Sequence, residues 1–80
     1  MNEKDFDELS GRIEGLANFV LSLTAQLEIN GHIDGPEFTG AIHRYAAGRT
    51  IPGQPECAAA ARVMLAGLAD ELDRMRARRQ

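Results

Sequence analysis

From Phe6 onward the large apolar residues recur at intervals of three and four: Phe6, Leu9, Ile13, Leu16, Val20, Leu23 and Leu27. At 3.6 residues per turn this spacing gathers them into one stripe of an α-helix. The pattern predicts a helix over about residues 2–29, roughly 40 Å long at a rise of about 1.5 Å per residue. Written as heptads, Phe6, Ile13, Val20 and Leu27 take the a positions and Leu9, Leu16 and Leu23 the d positions, a pattern that suits a two-stranded coiled-coil seam. Phe19 and Leu21 fall on the two sides of the stripe, so the helix is expected to touch more than one neighbour.

Asn30-Gly31 should end this helix, because glycine takes the left-handed conformation that closes a helix C-terminus. A second start follows at once. Asp34 is placed to cap it, Glu37 stands three residues on as in a capping box, Pro36 falls in the first turn, and Ile33 and Phe38 hold the two positions of a hydrophobic staple. This helix is predicted over about residues 35–47, with Phe38, Ala41, Ile42 and Tyr45 on its apolar face and Gly48 as its stop. Gly48 to Gln54 reads as a loop with Pro52-Gly53 as a turn. A third helix over about 55–78 carries Ala58, Ala61, Leu65, Leu68, Leu72 and Met75 at the same spacing, and Asp70 with Arg74 is an i,i+4 pair on its polar face. No stretch alternates with period two, so residues 1–80 are expected to form a single all-α domain of two long helices joined by a short one.

Two arrangements would bury these stripes. Either the long helices pack as an antiparallel pair with the short helix over one end, or the chain stays open and completes a helical bundle as a homodimer. The homodimer is the expected arrangement, because one copy would leave much of the Phe6 to Leu27 stripe in water. The chain's 80 residues strengthen this expectation, since a domain of this size buries only about 60–65% of its unfolded surface.

Charge is unevenly distributed. The net charge is −3, but residues 1–40 hold eight acids against Lys4 and Arg12, while 41–80 hold seven arginines against four acids. Arg74, Arg76, Arg78 and Arg79 form a basic C-terminal cluster, and the helix dipole alone favours cations there. His43, Arg44 and Arg49 would extend that cluster into candidate contacts for an anionic ligand, with Tyr45 beside them for stacking. The acidic balance weighs against a nucleic-acid binder, which at this size is usually strongly basic.

Other chemistry finds little footing. His32, Asp34, Glu37, His43 and Cys57 are the potential metal ligands, but their spacing fits neither paired zinc ligands nor a helical two-histidine site, so no metal or other cofactor is expected. Cys57 opens a helix among alanines, where a small packed side chain explains it better than a nucleophile. The carboxylates Asp5, Asp7 and Glu8, and Asp70, Glu71 and Asp73, read as solvated helix faces, and no glycine-rich phosphate loop is present. No apolar run approaches the about 20 residues that span a bilayer, and the chain begins acidic, unlike a signal peptide, so a cytoplasmic, membrane-independent protein is expected. One cysteine allows no internal disulfide.

The expected function is non-enzymatic: a protein-binding adaptor, chaperone or inhibitor, of the kind phages and mobile elements encode. It would dimerise and meet an unidentified protein through Phe6, Leu9, Ile13, Leu16, Phe19, Val20, Leu23 and Leu27. The alternative is an oligomeric binder of nucleic acid or a small phosphorylated ligand through Arg44, Arg49 and the C-terminal arginines, with nucleic acid and nucleotide both disfavoured as partners.

Overall fold

A computed structural model describes residues 2–48 and 52–80, which form three helices: α1 (Glu3–Ile29), α2 (Gly35–Gly48) and α3 (Pro55–Arg79). The all-α expectation holds, and both ends of α1 and the start of α2 fall where their capping residues place them. Asn2 Oδ1 accepts a hydrogen bond from the Asp5 amide at 2.8 Å, satisfying one of the donors that a helix start leaves orphaned. At the far end of α1, Gly31 takes φ 76°. The Gly31 and His32 amides donate back to the carbonyls of Glu28 and Leu27 at 3.0 and 2.8 Å, a Schellman closure. Asp34 Oδ1 then caps α2 by accepting from the Glu37 amide at 3.0 Å. Gly53, also at φ 76°, shapes the turn before α3, whose first position is Pro55. Residues 49–51 of the expected loop, with the candidate ligand contact Arg49, lie outside the described residues.

The helices run up, down and up. Thr39 meets Asp73 and His43 meets Asp70, so α2 is antiparallel to α3. Glu14 and Ala17 share a groove with Val63 and Met64, and Ala25 and Ile29 share another with Met75 and Arg79, so α1 and α3 point the same way. The antiparallel α1–α3 pair weighed as one arrangement is therefore not formed, because each of the two connections reverses the chain.

The core is thin. An apolar cavity of about 90 Å³ lies where Val20 and Thr24 of α1, Phe38 and Ile42 of α2, and Leu65, Leu68, Ala69 and Leu72 of α3 converge. On α3 the predicted seam faces inward, with Ala58 and Leu72 buried and Ala61, Leu65, Leu68 and Met75 half-buried. On α2 the predicted face is displaced. Gly35, Thr39 and Ala46 are buried, while Phe38, Ala41 and Tyr45 are exposed. Small residues let α2 approach α3 closely. Thr39 tolerates burial because its hydroxyl donates to Asp73 Oδ1 at 2.8 Å and has the Gly35 carbonyl 3.2 Å away.

A polar knot ties the helices at one end. Glu28, in the last turn of α1, accepts from Arg76 of α3, and both side chains are largely buried, at 12% and 15% exposure. Arg76 Nη1 also donates to Asp73 Oδ1 at 2.8 Å. A β-carbon at Gly35 would collide with the Glu28 carboxylate and the Arg76 guanidinium, so α2 starts on a glycine where the ion pair needs the space. The Arg76 guanidinium, with the Thr39 hydroxyl, holds the Asp73 carboxyl below the ordinary aspartate range.

Two outcomes are expected. Glu28→Gln should lower stability in urea titration by about 2–4 kcal/mol, because it strips Arg76 of its buried counter-charge; a change within 0.5 kcal/mol, in about the range of an exposed pair, would show the knot to be ornamental. Asp73 is more acidic folded than unfolded, so its stabilisation is complete above about pH 4 and is lost as pH falls below that. Asp73→Asn should accordingly flatten the acid side of the melting-temperature profile and lower the plateau at neutral pH.

Candidate interaction surface

The chain packs α1 by a different side from its seam. The residues of α1 that turn inward are Ala17, Leu21, Thr24, Ala25 and Glu28, all buried or half-buried. At about 100° per residue they lie roughly a quarter turn round the helix from the Phe6 to Leu27 stripe. Leu21, expected to serve a second neighbour, lines the groove against Val63, Met64 and Leu68. The stripe itself is left outside. Phe6 is 61% exposed, Leu16 65%, Phe19 67% and Leu23 52%, with Leu9, Ile13 and Val20 also exposed. Of the residues predicted for this interface, Leu27 is half-buried. Val20 serves both sides, since it also borders the core cavity.

The arginine cluster is largely occupied by the chain's own acids. Arg76 is held by Glu28 and Asp73, Arg79 lies 3.4 Å from Glu28, and Glu71 accepts from Arg74 at 2.7 Å and from Arg78 at 3.4 Å. Arg74 and then Arg78 hold the Glu71 carboxyl below its usual range. The expected Asp70–Arg74 pair is replaced by Arg74 with Glu71, one residue nearer, because Asp70 turns instead to His43. Arg44 is exposed on α2.

His43 Nε2 lies 3.2 Å from Asp70 Oδ1, and Asp73 offers a third donor atom within 4.8 Å of both. The sequence pattern groups His43 with His32, Asp34, Glu37 and Cys57 and puts Asp70 and Asp73 on a solvated face. The structure instead draws the donor set from two helices, through the antiparallel packing of α2 on α3. Asp73 is already shared between Thr39 and Arg76, and a cation there would sit beside the Arg76 guanidinium. Cys57 is exposed and stands apart from this group.

Glu28 is the structural residue that pattern reading missed. A detectable signal existed, since a carboxylate in the last turn of a helix opposes the helix dipole and so calls for a cationic partner. Among the described residues no helix is long and apolar enough to cross a membrane. Comparison with known protein families, curated proteins and solved structures finds no match to this chain.

The arginines should separate sharply on substitution. Arg76→Ala leaves Glu28 buried without its main partner and should cost about 2–4 kcal/mol in chemical denaturation, whereas Arg74→Ala and Arg78→Ala, on exposed pairs, should each cost less than about 0.5 kcal/mol. Equal effects at the three positions would contradict the burial of Arg76.

Proposed function

We propose that this chain is a non-catalytic protein-interaction module, acting as an adaptor, assembly chaperone or inhibitor, and that it binds through the outward face of α1. The observation that supports this reading most directly is the exposure of Phe6, Leu9, Ile13, Leu16, Phe19, Val20 and Leu23 on one helix face. Full burial of each such side chain is worth about 1.5–3 kcal/mol. An apolar surface of this continuity, flanked by polar residues, is characteristic of a protein-binding site. Anchors repeating at three and four positions suit an amphipathic helix or an elongated apolar groove on the partner.

The reading through arginines and an anionic ligand has less support. A phosphate at Arg74, Arg76, Arg78 or Arg79 would have to compete with Glu28, Glu71 or Asp73 for the same guanidinium. Such binding would also weaken steeply with salt, because it exchanges phosphate contacts for released counterions.

Leu16→Asp tests the proposal cleanly, because Leu16 is exposed within one chain and an aspartate there buries no charge in the core. The variant should keep its helical circular dichroism. It should lose at least about 100-fold in affinity for a purified partner, a loss typical of a hot-spot residue, as read by titration calorimetry at two salt concentrations. Undiminished binding by Leu16→Asp would sink the α1 reading, and steep salt dependence would favour the arginines.

A further inference from the structure

We infer that this face is covered by a second copy of the chain, its α1 antiparallel to the first, with Phe6, Leu9 and Ile13 of each copy beside the partner's Leu23, the partner's Val20 and the partner's Leu16. The inference rests on the reading of α1 as an interaction face and names the occupant of that face.

The area supports a partner of this size. One chain exposes 5874 Å², against about 4,700 Å² expected for a compact monomer of 8.7 kDa. The excess, about 1,200 Å², compares with the about 800 Å² that each partner buries in a stable complex. The radius of gyration agrees, at 14.5 Å where about 11.6 Å is expected for a compact domain of this length. The molecule is also only 18 Å across its thinnest dimension.

The pattern is self-complementary in this register. Antiparallel coiled-coil layers pair an a residue with a d residue, and the pairing above uses every exposed a and d residue of the stripe once per copy. It leaves out Leu27, which α1 already half-buries within its own chain.

Charge selects the orientation. The start of α1 carries Glu3, Asp5, Asp7 and Glu8 against Lys4. Because α1 and α3 run in the same direction, the arginine cluster lies at the opposite end of α1, around Glu28 and Ile29. A parallel dimer would set two acidic starts side by side, whereas an antiparallel one separates them, sets each near an end where Arg74, Arg76, Arg78 and Arg79 outnumber their paired acids Glu28, Glu71 and Asp73, and opposes the two helix dipoles.

Light scattering after size exclusion, over a dilution series, should give about 17 kDa, twice the mass of one chain. Leu16→Asp should give a single-chain mass with helicity retained. A nitroxide on Lys4→Cys in a Cys57→Ser background should show a spin–spin distance beyond about 30 Å, because the two labels lie some 21 residues apart along the paired helices; this measurement carries the test even if Leu16→Asp fails to fold. A distance under about 20 Å would mean parallel pairing and overturn the orientation. A wild-type mass of one chain at every concentration overturns self-association, and the partner titration then decides the interaction reading by itself. A dimer unmoved by Leu16→Asp places the self-association interface elsewhere and overturns this inference, and the partner titration then decides the α1 reading by itself.

Discussion

Glu28 and Arg76 meet where the end of α1, the start of α2 and the end of α3 converge, and the arrangement of the helices depends on that meeting. A carboxylate in the last turn of a helix stands against the local dipole, and a guanidinium this well shielded needs a counter-charge within reach. Each group makes the other's position tolerable, and the geometry extends outward. Arg76 reaches Asp73, Asp73 accepts from Thr39, and Thr39 fixes the side by which α2 lies on α3. Gly35 completes the corner, since any larger residue would occupy the space of the ion pair. Among the described residues, the apolar core beside this knot contains no large side chain that is wholly buried. The polar contacts therefore do much to specify how the helices register, while the modest core supplies compaction.

That division of labour leaves α1 with two faces of unlike character. One, from Ala17 to Glu28, is built of small, medium and polar residues and packs inward. The other, from Phe6 to Leu23, holds the larger apolar side chains and faces water. A small domain that placed its strongest stripe inside would gain stability but lose a surface with which to bind. Here the strongest stripe is kept outward, so any association through it would add to overall stability through the same residues.

Much of the architecture was legible along the chain because helix boundaries are decided locally. Asn2 and Asp34 accept from amides three residues on, Gly31 lets the end of α1 close on its own carbonyls, and Pro55 brings no amide hydrogen to leave unpaired at the start of α3. The apolar face of α3 was legible for a similar reason, its leucines having one side to share. On α2 the larger residues marked the buried face only in part: Phe38 and Ile42 border the core cavity, but Tyr45 is exposed and close packing against α3 was achieved through Gly35, Thr39 and Ala46. Burial of Thr39 is helped by a carboxylate acceptor 34 residues away, which no local pattern announces.

The sequence by itself determined three helices, their caps and the stripe on α1, because propensity, capping and periodicity act over one or two turns of chain. Tertiary structure decided which face of each helix is used. It brought Glu28 to Arg76 across 48 residues, Arg79 to the same carboxylate, and His43 to Asp70. It also made α1 and α3 parallel, which sets the acidic and basic ends of the molecule apart. These outcomes depend on the fit of surfaces brought together from distant parts of the chain, and no local spacing carries that information.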